Sequence, residues 1–512
     1  MTSIEYQGYY ILLVYLFICC ALGIQFGWLT ALLPQNSLKT LHIFALSSFW
    51  TILEWSRVYF FCGFSWNPIG MSLGFHPIPL QWASLFGIFG MSFWVMLVNL
   101  CALKIWRDIK NLQNPAKEPL CQISDSSGYL RICKSLCIWG FLLCMPYLFG
   151  ALHMLYHTER MNTSQKNLRV ALVQTGLLPS EKALLSRHRD SFIPADAQWE
   201  HILMYLRDKK DDRANSLDKW DLIILPEAVV PKQADTPFFP LENTRRIFTK
   251  IYGADVDQCF PGISLPFAEK KIVQGDEWIY VSNLFWAQSL ANLYDADVIL
   301  GLDHFDRQSD KFYNSAFLAS PRKQDVQRYD KRVLLPLAEY LPFEWMRPLT
   351  KSYGIYDFFS KGDKTPCLAG KLNMNVSICY EETFSGVIRK YINRDSDLLI
   401  NLTNDGYYPH SLLSEQHFAH ARLRTVENGR PLLRSCNTGV TAAVDSLGRI
   451  VARFSQKGEE RERGVLHCTL VPYRYATLFS IWGDMGIVCT SFGILALFFL
   501  LKLFSTNRYK KI

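Results

Sequence analysis

The chain has 512 residues, of which 49% are hydrophobic and only 20% are charged. It is longer than one ordinary domain, too apolar for a fully soluble protein and too charged for one that lies entirely within a membrane. The formal net charge of +8 is largely explained by basic residues beside the apolar segments. No basic stretch is interleaved with aromatic residues, as in single-strand binders, so we expect no nucleic-acid partner.

Long uncharged segments predict membrane helices at both ends of the chain. A bilayer requires about 20 apolar residues per helix. The first segment carries no small-residue cleavage site and is too long for a secretory signal peptide. We predict five spans, at 9–33, 41–62, 80–103, 135–156 and 478–501.

The second predicted span contains two ionisable residues, Glu54 and Arg57, one helical turn apart. Charged groups inside a bilayer are costly and are usually paired. The simpler interpretation is therefore a structural ion pair near the interface, and the alternative is a polar contact to a lipid head group.

Basic residues indicate the orientation, because they concentrate on the cytoplasmic side of a membrane. The 104–134 segment holds six Lys or Arg residues, whereas the first seven residues and the 63–79 segment hold none. Five spans then place the N-terminus outside, the middle domain on the outer face and the C-terminus in the cytoplasm. The predicted organisation is an N-terminal group of helices at 1–160, a catalytic domain at 165–475, a last helix at 478–503 and a basic tail at 504–512.

The middle domain alternates short apolar strands with charged, amphipathic segments, which is typical of an α/β layered fold. Segments 200–213 and 414–429 are predicted helices, and 439–454 is a predicted hairpin with Asp-Ser-Leu-Gly as its turn. The predicted strands are LRVALVQ (168–174), DLIILPE (221–227), DVILGLD (297–303), NSAFLAS (314–320), NVSICYE (375–381) and DLLINLTND (397–405).

Three reactive side chains follow predicted strands, where the functional groups of α/β domains gather. Glu227 closes DLIILPE, Lys331 lies in the loop after the third segment of the sheet, and Cys379 closes NVSIC. Each has an ordinary alternative. Glu227 could be a carboxylate at a helix start, and Lys331 could form a solvated basic pair with Arg332. Cys379 could be a small core hydrophobe.

Together the three residues predict a mechanism. A thiol must become a thiolate before it attacks, and a buried carboxylate beside it can take the proton. A lysine can neutralise the charge on a tetrahedral intermediate. On three successive strand ends, Glu227, Lys331 and Cys379 would act as base, charge stabiliser and nucleophile.

Four segments, LPEAVVP, YDKRVLLPLAEYLP, ICYEETF and NLTNDGYY, resemble the Glu, Lys and Cys blocks of the nitrilase superfamily. The segment QHFAHARLRTVENGRPLLRSCNTGVTAAVDSLGRI is similar to the final part of that fold. The predicted membrane segment LEWSRVYFFCGFSWNPIG (53–70) narrows the resemblance to the apolipoprotein N-acyltransferase family, over about residues 40–505.

The resemblance implies an αββα sandwich domain of the nitrilase type, inserted between transmembrane helices and facing the periplasm from the bacterial inner membrane. The implied reaction moves an acyl chain from a phospholipid to the α-amine of a diacylglyceryl apolipoprotein in two steps. Glu227 is then the general base, Lys331 the oxyanion stabiliser and Cys379 the carrier of the acyl thioester. Further implied active-site residues are Glu339, Tyr380, Glu381 and Asn314.

Two departures from the family stand out. The chain is expected to be shortened at its N-terminus, and NDGYYPHS (404–411) carries Pro409 and His410 where the family differs, which leaves acceptor preference open. Two apolar segments, PFFPL (237–241) and YGIYDFF (353–359), are candidates for a lid or a membrane-facing arm, with ordinary loop packing as the alternative.

Several other expectations complete the interpretation. The histidines at 410, 417 and 420 lack an acidic partner at ligand spacing, so we expect no metal and no cofactor. Disulfides among Cys259, Cys367, Cys436 and Cys468 remain open, because sequence does not give connectivity. We expect a monomer. The alternative functions are a membrane-anchored amidase of the nitrilase type, acting on a small amide, and a non-enzymatic scaffold or transporter.

Overall fold

The computed structural model describes residues 10–35, 37–60, 63–113, 125–164, 166–182, 191–207, 219–352, 358–364, 367–392, 394–406, 411–454 and 462–509. Two compact units divide the chain. One unit holds Met161–Thr425 and Arg430–Tyr475, and the other holds the remaining described residues, including the short segment Val426–Gly429.

The second unit is helical. Before the first unit it contains α1 (Tyr10–Ala31), α2 (Thr40–Ser56), α3 (Pro77–Leu80), α4 (Ala83–Gln113) and most of α5 (Asp125–Asn162). Aliphatic and aromatic side chains from α1, α2 and α4 form its core, in which Leu29, Ile43, Trp50 and Leu97 are buried. Burial of this apolar surface holds the helices together where they are not exposed to lipid.

The prediction of five spans was wrong. Among the described residues, three helical segments are long and apolar enough to cross a membrane, namely Ala83–Leu112, Gly128–Asn162 and Asp484–Phe504. The uncharged runs at 9–33 and 41–62 are longer than the helices they contain. Within α1, the segment Tyr15–Ala31 is a shorter apolar helix, and α2 has 17 residues because the backbone leaves the helix after Ser56.

Glu54 and Arg57 form an ion pair, with 3.2 Å between Arg57 Nη2 and Glu54 Oε1. The same carboxylate oxygen accepts hydrogen bonds from Trp50 Nε1 at 3.0 Å and from the backbone N–H of Ile69 at 2.8 Å. Glu54 is buried, so it ties the segment after α2 back to that helix. These contacts favour the structural interpretation of the pair.

The first unit is an αββα sandwich, as the resemblance to the nitrilase superfamily implied. Its first sheet has the strand order β15-β1-β2-β6-β7-β8, its second has the order β14-β13-β12-β11-β10-β9, and a small sheet has the order β3-β5-β4. The strands are β1 (Leu168–Gln174), β2 (Leu222–Ile224), β3 (Phe239–Pro240), β4 (Ala268–Val273), β5 (Asp276–Val281), β6 (Asp297–Asp306), β7 (Lys311–Ala319), β8 (Gln327–Asp330), β9 (Cys367–Ala369), β10 (Asn373–Ile378), β11 (Leu398–Thr403), β12 (Leu432–Cys436), β13 (Ala442–Val444), β14 (Ile450–Arg453) and β15 (Gly464–Leu470).

Helices cover the outer faces of the two large sheets. The helices of this region are α6 (Pro179–Lys182), α7 (Ala195–Arg207), α8 (Leu241–Tyr252), α9 (Asn283–Tyr294), α10 (Arg347–Ser352), α11 (Ser385–Lys390) and α12 (Leu413–Asn428). Trp199, Phe248 and Trp286 bring α7, α8 and α9 onto the first sheet. Phe418 brings α12 onto the second sheet. The C-terminal helices α13 (Leu478–Trp482) and α14 (Asp484–Tyr509) follow in the helical unit.

The inner faces of the two sheets form the central core. Along β1, Val170 and Leu172 point into this layer, whereas Ala171 and Val173 face the helices. This alternation follows from the two-residue period of a strand. Helices cover the outer face of each large sheet, and the other sheet covers its inner face. The strand sequences are therefore nearly continuous runs of apolar residues.

Two details of the predicted strands were wrong. The strand predicted at 375–381 ends at Ile378, because Cys379 adopts a φ of +50° and begins a 3₁₀ turn, Cys379–Thr383. Lys331 does not follow the third segment of the sheet. It follows β8, a short polar strand that pairs with the long β6–β7 hairpin.

Candidate active site

The predicted reactive residues come from two sheets rather than from three successive strand ends. Glu227 follows β2 and Lys331 follows β8, both in the first sheet, and Cys379 follows β10 in the second. The charges of Glu227 and Lys331 both act on the Cys379 thiol. The packing of one sheet on the other therefore brings the three residues together.

Lys331 lies in a cradle of two carboxylates. Its side chain is 1% exposed, and its Nζ lies 2.9 Å from Glu339 Oε1 and 3.4 Å from Glu227 Oε1. Burial alone would lower the pKa of Lys331, but the Glu339 and Glu227 carboxylates outweigh burial and raise it well above its ordinary value. The ammonium is therefore a fixed positive charge at neutral pH.

Asn314 completes this arrangement from β7. Its Nδ2 donates to Glu227 Oε1 at 2.8 Å and to Glu339 Oε1 at 2.9 Å. Glu339 Oε2 also accepts from the backbone N–H of Leu335 at 2.7 Å. The structure thus brings Glu227, Lys331, Glu339 and Asn314 into direct contact, as expected for members of one site.

The backbone at Glu227 is held from two sides. Asn437 Nδ2 donates to the Glu227 carbonyl at 2.6 Å, and Lys182 Nζ donates to it at 3.2 Å. The next residue, Ala228, has a φ of +40°. Burial lowers the pKa of Lys182 to about 7, against the opposing effects of the Glu227 and Asp303 carboxylates. Sequence reasoning did not identify Lys182 or Asn437.

Strand β6 approaches Glu227 through a glycine. A Cβ atom at Gly301 would lie 2.6 Å from the Cα of Glu227, which is far inside van der Waals contact. The backbone N–H of Gly301 donates a hydrogen bond to the Pro226 carbonyl, and the backbone N–H of Val229 donates one to the Gly301 carbonyl. Only glycine allows this close approach.

Cys379 is half-buried and has an unusual backbone conformation. Burial raises the pKa of its thiol above the ordinary value, and the Glu227 carboxylate raises it further, while Lys331 and a hydrogen bond with Thr403 lower it. The thiol is therefore protonated at rest and needs a base. Its φ of +50° costs about 1–2 kcal/mol for a residue with a Cβ. Its carbonyl accepts from His417 Nε2 at 3.2 Å and from Asn401 Nδ2 at 3.4 Å.

Glu381 organises the backbone of two loops. Its carboxylate accepts from the Tyr329 hydroxyl at 2.9 Å and from the backbone N–H groups of Arg332 and Val333 at 2.6 and 3.0 Å. It also accepts from the N–H of Ile378 at 2.8 Å. Glu381 therefore links the loop after Lys331 to the turn that carries Cys379.

Tyr380, the residue after the thiol, is buried. Its ring meets that of Phe384 edge to face, with the centroids 4.9 Å apart. This contact packs the 3₁₀ turn on the start of α11.

A buried charged cluster adjoins the thiol, and sequence reasoning missed it. It consists of His417 on α12, Asp405 after β11, Glu382 in the 3₁₀ turn and Arg434 on β12. The sequence pattern raised only the question of a metal site at His417, and among the described residues no group of His, Cys, Asp and Glu is arranged to hold a metal. The one sequence signal lay in the similarity of QHFAHARLRTVENGRPLLRSCNTG to the family.

Several sequence predictions fall wholly or partly outside the described residues. These are Tyr407, Tyr408, Pro409 and His410 of the acceptor loop and positions 353–357 of YGIYDFF. In PFFPL, Phe238 is exposed and Phe239 is buried. The cysteines at 259, 367, 436 and 468 are free thiols in the described structure.

Comparisons with known proteins agree with this architecture. Residues 169–471 match the carbon-nitrogen hydrolase family, and residues 1–101 match the N-terminal domain of apolipoprotein N-acyltransferase. The apolipoprotein N-acyltransferase of Chlamydia pneumoniae is 30% identical over 509 residues, which cover 96% of this chain and 83% of that relative. That of Rickettsia prowazekii is 26% identical over 89% of this chain and 75% of the relative. Nit3 of Saccharomyces cerevisiae, a solved nitrilase-superfamily structure, aligns with 62% of this chain and 94% of its own at 15% identity, with a TM-score of 0.37.

Proposed function

Because the chain belongs to the apolipoprotein N-acyltransferase family and carries a carbon-nitrogen hydrolase domain, we propose that it acylates apolipoproteins through a thioester on Cys379. The donor is a phospholipid, and the acceptor is the α-amine of an N-terminal diacylglyceryl-cysteine. The observation that carries the proposal is the contact of Lys331 with Glu227 and Glu339 beside the half-buried thiol of Cys379.

In the first half-reaction, the Cys379 thiol transfers its proton to the Glu227 carboxylate. The thiolate attacks the ester carbonyl of the phospholipid, and the Lys331 ammonium stabilises the oxyanion. Collapse of the tetrahedral intermediate breaks the ester C–O bond. The departing lysophospholipid oxygen takes the proton from Glu227, and the acyl chain stays on sulfur as a thioester.

In the second half-reaction, the neutral α-amine of the apolipoprotein attacks the thioester carbonyl. Glu227 accepts the proton that the amine loses, and Lys331 again stabilises the oxyanion. Collapse breaks the C–S bond, forms the amide and returns the thiol with the proton from Glu227. The two substrates therefore use one site in turn, which gives ping-pong kinetics.

The other residues of the site position the three reacting side chains. Asn314 donates hydrogen bonds to Glu227 and Glu339, and Glu339 in turn accepts from the Lys331 ammonium. Glu381 and Tyr380 fix the turn that carries the thiol. Holding reacting groups in a fixed geometry accounts for a large part of the rate enhancement of many enzymes.

The membrane setting follows from the substrates. Both are lipids, and the chain has three apolar helices of membrane-spanning length among its described residues. Membership of the family supports the bacterial inner membrane, and the distribution of Lys and Arg supports a periplasmic catalytic domain and a cytoplasmic C-terminus.

The test is intact-protein mass spectrometry of the full-length protein in detergent after mixing with phospholipid. We expect a mass gain of one fatty acyl chain that hydroxylamine removes, in the wild type and in the control Cys468→Ala, whose cysteine lies on β15. Cys379→Ala should show no gain.

Adding a diacylglyceryl-cysteine peptide with a free α-amine should discharge the thioester, whereas the same peptide with an acetylated amine should not. A mass gain on Cys379→Ala would refute the thioester. Discharge by water or ammonia alone, without transfer to the peptide, would indicate an amidase instead.

A further inference from the structure

The charged cluster behind the thiol contacts the backbone of the nucleophile. His417 Nε2 lies 3.2 Å from the Cys379 carbonyl oxygen and 3.0 Å from Glu382 Oε1. His417 Nδ1 lies 2.8 Å from Asp405 Oδ1. His417 Nδ1 also lies 3.0 Å from Arg434 Nη2. The Cys379, Glu382 and Asp405 oxygens are acceptors, so donation to all three requires a proton on each ring nitrogen. The ring that meets this requirement is the imidazolium.

The charges of the cluster balance only if His417 is protonated. Arg434 Nε lies 3.0 Å from Glu382 Oε1, and Arg434 Nη2 lies 3.2 Å from Asp405 Oδ2. The side chains of His417, Glu382, Asp405 and Arg434 are at most 3% exposed. When His417 is protonated, the two carboxylates of the cluster lie beside two cations, and the charges cancel. Loss of the imidazolium proton would leave a net negative charge next to a thiol that has to ionise.

The conformation of Cys379 explains what such a contact achieves. The left-handed φ of +50° turns the backbone out of β10 and into the 3₁₀ turn that begins at Cys379. The carbonyl on the same residue receives donors from α12 and from Asn401 on β11. A charged donor makes a stronger hydrogen bond than a neutral one.

We propose that His417 is a positioning residue that acts as an imidazolium, holding the Cys379 carbonyl in the left-handed turn and cancelling the charge of Asp405 and Glu382 near the thiolate. This inference rests on the proposed function only in taking Cys379 as the nucleophile. Burial would lower the pKa of His417, but Glu382 and Asp405 outweigh it and raise the pKa to about 9. Other groups that face the ring include Arg434, whose Nη2 lies 3.0 Å from Nδ1, the neighbouring His420 and the Cys379 carbonyl.

The test measures the reactivity of Cys379 itself, without lipid or apolipoprotein. The full-length protein in detergent is treated with iodoacetamide, and alkylation of Cys379 is followed by peptide mass spectrometry as a function of pH. We expect His417→Gln to slow alkylation at pH 7.5 by roughly tenfold to a hundredfold, in keeping with the sensitivity of reacting groups to small displacements. We also expect the apparent pKa of the thiol to rise in this variant.

The matched control is His420→Gln. His420 is another buried histidine of α12, and burial lowers its pKa well below the ordinary value, so it is neutral. The His420→Gln variant therefore measures the general effect of replacing a buried histidine in α12. We expect its alkylation rate and its pH profile to match the wild type. Equal slowing in both variants, or wild-type reactivity in His417→Gln, would overturn the proposal.

A measurement on the unmodified protein keeps the proposal testable if His417→Gln does not fold. Alkylation of an isolated thiol below its pKa rises about tenfold per pH unit. In the wild type we expect the rise to flatten above pH 9, where His417 loses its proton. A constant slope up to pH 10 would overturn the proposal. Failure of acyl transfer with normal alkylation behaviour would instead count against the proposed function alone.

Discussion

Replacement of Lys331 by methionine should cost stability as well as activity. The ammonium is 1% exposed and lies 2.9 and 3.4 Å from the carboxylate oxygens of Glu339 and Glu227. Without it, the Asn314 amide is the side chain that still bridges two buried carboxylates. Removing one partner of a buried ion pair typically costs about 3–5 kcal/mol. Loss of one oxyanion-stabilising group slows a reaction by roughly 10²–10³-fold.

A second substitution separates the two effects. Lys331→Met combined with Glu339→Gln removes one of the carboxylates that the first change leaves uncompensated. We expect the double variant to regain about 1–3 kcal/mol of stability, whereas thioester formation stays as slow as in the single variant. Denaturant unfolding followed by tryptophan fluorescence gives the stability, and single-turnover mass spectrometry of the acyl-enzyme gives the rate.

The control is Lys250→Met, because Lys250 lies on the surface of α8, is 68% exposed and pairs with Glu200. Exposed ion pairs contribute roughly 0–1 kcal/mol, so this variant should unfold like the wild type and keep its rate. The reasoning would be refuted if Lys331→Met were as stable as the wild type. It would also be refuted if Glu339→Gln added its own loss to that of Lys331→Met.

Three further predictions address the surrounding structure. Gly301→Ala should destabilise by about 1–3 kcal/mol, because its Cβ would meet the Cα of Glu227 at 2.6 Å, and a melting temperature equal to that of the wild type would contradict this. Glu381→Gln should slow thioester formation while leaving Cys379 open to alkylation, since it weakens contacts to two loops. Finally, the raised pKa of His417, about 9, means that its contribution to stability is full below about pH 6.5 and is lost as pH rises through 9. The free energy of unfolding should therefore fall over that range, and less so in His417→Gln.

Local sequence patterns predicted the strands whose two faces are both covered. LRVALVQ coincides with β1, and DLLINLTND contains β11, because apolar residues at consecutive positions are needed when neither face meets water. Strand β8 has the sequence QRYD and carries no such signal. Its place at the end of the sheet follows from pairing with β7, a tertiary contact that no local pattern encodes. For this reason the sequence placed Lys331 after the wrong strand.

The membrane helices show a second limit of prediction from sequence. Absence of charge defines where a chain can enter a bilayer but not where a helix ends. The uncharged run beginning at Val58, just after α2 ends, contains a 3₁₀ turn at Ile69–Leu73 and the short helix α3. The Glu54 carboxylate accepts a hydrogen bond from the backbone N–H of Ile69 and so fixes the segment that follows α2. A polar residue therefore determines the shape of an apolar segment, which hydropathy does not detect.

Three residues that the sequence missed, Lys182, Asn437 and His417, contact backbone carbonyls in the site. The Glu227 carbonyl receives an amide and an amine, from Asn437 and Lys182. The residue after it has a positive φ. Such donors come from distant parts of the chain, so their spacing follows no motif, and a polar residue inside an apolar segment is more often a satisfied core residue.

Cys379 repeats this arrangement in the second sheet. Its carbonyl receives an amide and a basic ring, from Asn401 and His417, and its own φ is positive. A strained residue persists only where its surroundings over-determine it, and two side-chain donors on one carbonyl supply that constraint. Motifs reveal Glu227 and Cys379 because chemistry dictates their identity. The donors that hold them can be found only once the fold shows which carbonyl each one reaches.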